Sequence, residues 1–134
     1  MSSAVQPRTF VYKTVDGLDI HLDVYAPKVE PQTPRPVVLF FHGGFLIFGS
    51  RDSLFPSWFM KDVLSKGSVF VSADYRLLPE VDGFDVLQDA QDAVAWIRTS
   101  LNLKLSELGI ESVDPENLVI SGASAGIIPS SLTN

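Results

Sequence analysis

The chain has 134 residues, 46% of them hydrophobic and 10% aromatic, which is enough apolar material for one core and excludes a disordered chain. Ten Lys and Arg against 16 Asp and Glu leave a net charge of -6 with no basic run, which argues against a nucleic-acid partner. There is no cysteine, so disulfides, thiolate metal sites and thiol nucleophiles are excluded, and two distant histidines make a poor zinc site.

Met1 to Pro7 has neither the basic nor the apolar region of a secretory signal, so the default expectation is a cytoplasmic protein. Phe10 to Val15 and Leu18 to Tyr25 read as strands joined at Asp16-Gly17, a two-residue hairpin signal because Gly accepts positive φ. Ile20, Leu22 and Val24 alternate with His21, Asp23 and Tyr25, giving one buried and one wetter face. Pro27 to Pro36 holds four prolines and predicts a surface connector.

Val37 to Phe41 is a continuous apolar run, as in a strand covered on both faces, and His42-Gly43-Gly44 ends it. The wider apolar stretch to Phe48 falls short of the roughly 20 residues that span a bilayer. A helix near residues 53 to 66 is expected, capped by Asp52 or Ser53, with Pro56 near its first turn and Gly67 as its stop. Ser68 to Ala73 is the next buried strand. Val86, Leu87, Ala90, Ala93, Val94 and Ile97 recur at helical spacing and predict a helix over about 83 to 100. Asp114-Pro115 turns the chain into a last strand, Leu118 to Ser121. Buried strands alternating with amphipathic helices predict an α/β fold, with an N-terminal β-hairpin and three parallel strands flanked by helices. No repeat or linker divides the chain, so residues 1 to 134 read as one partial domain.

The chemistry is carried by Gly122-Ala123-Ser124-Ala125-Gly126, a G-x-S-x-G motif directly after an apolar strand. A strand turning sharply into a helix would expose the Ser124 hydroxyl at the tip. Acyl transfer passes through a tetrahedral oxyanion, so such a serine needs N-H donors aimed at one point, and glycines permit that close approach. Asp82, Asp85, Asp89 and Asp92 repeat at three and four residues and read as a solvated helix face rather than a metal site. Trp58, Trp96 and the aromatics from Phe40 to Phe48 read as core, with Phe45 and Phe48 available to line an acyl pocket. His21 reads as a surface histidine.

Three segments occur in order: His42-Gly43-Gly44-Phe45, Asp74-Tyr75-Arg76-Leu77-Leu78-Pro79-Glu80 and the Ser124 motif. Together they resemble the hormone-sensitive-lipase-like branch of the α/β-hydrolases, the α/β-hydrolase fold-3 family, over about residues 10 to 126. The resemblance implies a serine carboxylic ester hydrolase that uses no cofactor and no metal. It makes Ser124 the catalytic nucleophile and Gly43, Gly44, Phe45 and Ala125 the residues that bind the substrate oxyanion. Phe45 stands in place of a third glycine, with a more restricted φ. His42 belongs to the oxyanion loop, and Asp74 to Glu80 brace that loop.

The resemblance stops after the elbow. Family members carry the triad acid and histidine after the serine, whereas no Asp, Glu or His follows Ser124 here, and residues 127 to 134 diverge from the pattern. The expectation is a serine hydrolase of small esters by resemblance, inactive in this truncated chain. The alternative is a non-catalytic remnant or binding module that self-associates through an open sheet edge.

Overall fold

The computed structural model describes residues 6–27, 35–42, 50–52, 55–77 and 80–122. In chain order they form β1 (Arg8–Val15), β2 (Leu18–Tyr25), β3 (Arg35–Phe41), α1 (Ser57–Ser65), β4 (Val69–Ala73), α2 (Gly83–Glu107) and β5 (Val113–Gly122). The strands make one mixed sheet in the order β1-β2-β4-β3-β5. β1 and β2 form the expected antiparallel hairpin, β2 runs antiparallel to β4, and β4, β3 and β5 are parallel. Asp16 and Gly17 turn the hairpin with φ of 49° and 79°, the paired left-handed conformation of a tight two-residue turn.

Alternation along the central strands sends side chains into two cores. Leu22, Val37, Leu39, Phe41 and Val71 face α2, whose Val86, Ala90, Ala93, Ile97, Leu101 and Leu105 form one buried stripe. The alanines let the helix axis approach the sheet closely. Val38, Phe40, Phe70 and Tyr25 face the other way, against Met60, Val63 and Leu64 of α1. Helices on opposite faces follow from right-handed crossovers that leave β3 in one direction and return past it in the other.

Several boundaries differ from the sequence reading. α1 starts at Ser57 without a side-chain cap: the carbonyl of Pro56 accepts from the N-H groups of Phe59 and Met60, while Asp52 accepts from Ser50 Oγ instead. Ser53, the other expected cap, lies outside the described residues. α2 runs on to Glu107 because Leu101 and Leu105 continue its apolar stripe, and Gly109 at φ 72° ends it. Its start at Gly83 agrees with the expected bound and is closed by a capping box, with the Asp82 and Asp85 side chains each accepting from the other residue's backbone N-H.

Pro36 lies inside β3 rather than in the connector. Pairing with β5 is irregular between Arg35 and Val37, which accommodates a residue without an N-H. Asp114 and Pro115 are likewise inside β5, because Val113 already pairs with Arg35 and is held at both its N-H and C=O by the Asn102 side chain. Trp58 is 76% exposed and not core, whereas Trp96 is buried at 9%. The α1 stripe runs through Met60, Val63 and Leu64, and Trp58 falls off it. Asp23 and Tyr25, on the nominally wet face of β2, are buried beneath the second core and its polar margin.

Burial pushes the phenols of Tyr25 and Tyr75 up to about 12, and burial together with Asp89, Asp74 and Asp92 holds Tyr12 well above its ordinary value. A phenol that binds its proton more tightly when folded contributes stability that is complete below its unfolded value of 10.0 and is lost as pH rises towards about 12. The melting temperature should therefore fall steeply between about pH 10 and 12, together with the rise of phenolate absorbance. A flat melting temperature across that window would contradict the burial of these hydroxyls.

Candidate active site

The register of the parallel strands fixes where the motif-bearing segments leave the sheet. Phe41 pairs with Ala73 on one side and with Gly122 on the other, so β3, β4 and β5 end at one level. The chain order reverses around β3, and in open α/β sheets ligands bind beyond the carboxyl ends of strands at such a reversal. Gly43 and Gly44 come two and three residues after Phe41, and Ser124 two residues after Gly122 on the adjacent strand. Gly43, Gly44, Phe45, Ser124 and Ala125 themselves lie outside the described residues, as does Phe48.

The described residues at this edge form a dense polar framework. Tyr75 donates its hydroxyl to the carbonyl of His42 at 2.6 Å, and the two rings stack 4.2 Å apart with planes at 9°. His42 is buried, 1% exposed, which suits a structural role at the loop entrance better than that of a base in contact with substrate. Where the chain returns, the backbone N-H of Arg51 donates to Asp74 Oδ1 at 2.6 Å and its Nη1 to Asp74 Oδ2 at 2.6 Å. Arg51 Nε reaches Asp23 Oδ1 at 2.9 Å. Burial opposes the Arg51 charge, but its hydrogen bonds to Asp23 and Asp74 outweigh that and raise its pKa. A cleft of about 200 Å³ opens beside these groups, bordered by Ile20, Ser50, Asp74, Tyr75 and Arg76. Asp74 also donates its N-H to the carbonyl of half-buried His21.

Arg76 points the other way. Its backbone N-H and its Nε and Nη2 donate to Asp89, at 2.7 to 3.1 Å, and Lys13 Nζ adds a further bond to Asp89 at 2.8 Å. Asp89 is fully buried, so the solvated-face reading of the four aspartates fails at this residue. Asp89 stands three residues after Val86 and four before Ala93, on the apolar stripe itself, and that spacing was the available signal. The Arg51 anchor had no comparable signal, since no periodic pattern surrounds it. Among the described residues no group of three His, Asp or Glu side chains is placed to hold a metal, and no helix is long and apolar enough to cross a membrane.

Comparison with known proteins supports the fold. Solved structures of a thermophilic esterase from Thermogutta terrifontis superpose with a TM-score of 0.74 at 34% identity, over 93% of this chain and 42% of the esterase. The same enzyme, as esterase 2 phosphorylated by paraoxon, matches with a TM-score of 0.74 at 33% identity, over 93% of this chain and 46% of that one. A non-reducing polyketide synthase, ascC of Acremonium egyptiacum, is 39% identical over 127 residues, 94% of this chain but 6% of the synthase. A second non-reducing polyketide synthase, from Preussia isomera, is 40% identical over 122 residues, 90% of this chain and 6% of its own length. The chain thus spans less than half of the esterase and a small fraction of the synthases. The sequence model of the family described as alpha/beta hydrolase fold matches residues 38–127, from β3 through the Ser124 motif, and the chain belongs to that family.

Proposed function

We propose that the chain is the nucleophile-bearing part of a serine hydrolase that takes an acyl group from a carboxylic ester. The observation that carries the reading is the shared level of Phe41 and Gly122, which starts the Gly43-Gly44 segment and the Ser124 segment from adjacent strand ends. Ser124 Oγ attacks the carbonyl carbon as a general base takes its proton, which later goes to the leaving alcohol, and the C=O electron pair moves onto the oxygen, to which the N-H groups of Gly43, Gly44 and Ala125 donate. Phe45 contributes less, as its φ is more restricted. Collapse expels the alcohol with a proton, and water then releases the acyl group. The esterase neighbours favour an ester as the acyl donor, and the polyketide synthases among the relatives favour a polyketide-derived acyl group.

In the family the general base comes after the serine, and no His, Asp or Glu follows Ser124 in these 134 residues. The purified chain alone is therefore expected to give no burst and negligible turnover on short-chain aryl esters. Turnover at ordinary enzyme rates that disappears in Ser124→Ala would overturn its inactivity, and turnover that survives the change would overturn the assignment of the nucleophile.

A second reading, association through the sheet edge, is favoured by β5. Its pairing among the described residues is with β3 alone, and Val119 is 51% exposed. Such an edge adds further strands from a second copy of the chain.

A further inference from the structure

We propose that a second copy of the chain pairs with β5 antiparallel, about a twofold axis through Val119, so that association closes at a dimer. The inference rests on the reading of β5 as an edge that takes up a strand from another copy, and it adds which strand and in which register. Among the described residues the sheet has two edges, β1 and β5. β1 is blunted: its ladder with β2 shifts between Val11 and Lys13, and Lys13 turns inward to Asp89 and Asp92 at 2.8 and 2.6 Å. A bulge and an inward-pointing charge are both devices that keep an edge from pairing. β5 carries neither between Leu118 and Gly122, where its ladder with β3 is regular. Contact between β5 and β1 would be head-to-tail and open-ended, whereas contact between β5 and β5 uses one patch twice and closes.

The register follows from setting the residues of β5 against themselves. A twofold axis at Val119 places Leu118 opposite Ile120 and Asn117 opposite Ser121, so apolar meets apolar and polar meets polar. On the face that carries Val38, the two half-exposed Val119 side chains cover each other. On the other face Leu118 and Ile120 already pack against the core that holds Val37 and Leu39, their partners in β3. Pairing extends that row from Leu39 through Ile120 to Leu118 and Val37 of the second copy. Charge selects the same register. Each chain carries a net charge of -6, and β5 begins with Asp114 and Glu116, the latter 74% exposed at its side chain. An axis at Val119 keeps the two Glu116 residues about 20 Å apart along the strands, beyond the screening length of about 8 Å. An axis moved to Asn117 would bring them to about 7 Å.

The chain has no cysteine, so single substitutions report the register directly. Residues opposite each other in an antiparallel pair have Cα atoms about 4.5 to 5.5 Å apart, within the span of about 4.4 to 6.8 Å that a disulfide bridges. Asn117→Cys and Ser121→Cys are purified separately, equilibrated together at micromolar concentration and treated with oxidised glutathione. Two thiols lose their protons and join, and the reagent takes up the two electrons and both protons as two molecules of reduced glutathione. The mixture should form a covalent dimer at least about tenfold faster than either variant alone, because like residues lie about 13 Å apart along the strands. Val119→Cys should form one by itself, and Val119→Cys mixed with Val11→Cys of β1 should give no mixed product. Sedimentation of the unchanged chain should show a dimer as its largest species. Equal rates for the mixture and the single variants, failure of Val119→Cys to cross-link, a mixed product with Val11→Cys, or species larger than a dimer would each overturn the proposal and leave association through an edge standing. A chain that sediments as a monomer overturns both.

Discussion

Replacing Asp89 with alanine should cost about 3 to 5 kcal/mol, the largest stability loss expected from any single polar substitution in the chain. The carboxylate is fully buried, and it receives Arg76 through three N-H groups and Lys13 through its ammonium. Removing it leaves two cations, each 13% exposed at the side chain, facing a helix that offers them only the partly exposed Asp85 and Asp92. Against a total stability of about 5 to 15 kcal/mol this loss is large enough to unfold a marginal domain. Asp92→Ala is the control, because Asp92 is 34% exposed and shares Lys13 with Asp89, so its loss should stay near 1 kcal/mol or below. Urea unfolding of the two variants side by side checks the difference. Equal losses would mean that the Asp89 cluster is solvated in solution.

At micromolar concentration the purified chain is expected to sediment as a dimer or larger. β5 ends the sheet opposite the hairpin, and Leu118, Val119 and Ile120 present apolar side chains along it without full burial. Val119 lies on the same face as Val38, its partner in register, yet Val38 is 8% exposed under α1 and Val119 is 51% exposed. A lysine there is the common natural device for keeping an edge strand from pairing. Val119→Lys should accordingly weaken association at least about tenfold, about 1.4 kcal/mol, while leaving the melt cooperative. A monomer with a cooperative melt before any substitution would show that the edge is already covered.

Most of the architecture was legible because its signals were local. Asp16-Gly17 set the hairpin, the apolar runs at Val37 and Val69 marked buried strands, and the spacing of Val86, Ala90, Ala93 and Ile97 marked α2. The misreadings arose where a tertiary partner outweighed composition. Asp89 is polar but sits on the buried stripe because Arg76 and Lys13 come from other elements to meet it. Pro36 enters a strand because an irregularity in pairing with β5 accepts it. Trp58 is large and apolar yet lies outside, since α1 has room for only one narrow stripe.

For the candidate site the sequence supplies a proposal rather than a geometry. The G-x-S-x-G motif proposes Ser124 and the glycines after β3 propose the donors, but neither motif says how far apart they stand. That distance depends on strand order and register, which put β3 beside β5 and Phe41 level with Gly122. The anchors at Asp74, Tyr75 and Arg51 were invisible as a set, because their sequence separation hides a junction that only the ends of β2 and β4 create.

The central claim is that Ser124 and the loop amides converge on one oxyanion, and a crystal structure of the chain resolving residues 42 to 52 and 122 to 126 tests it most directly. The account predicts the Ser124 hydroxyl at a strand-to-helix turn, with the N-H groups of Gly44 and Ala125 within about 8 Å of it and aimed at a common point. Separations beyond that distance, or amides turned away from the hydroxyl, would contradict it.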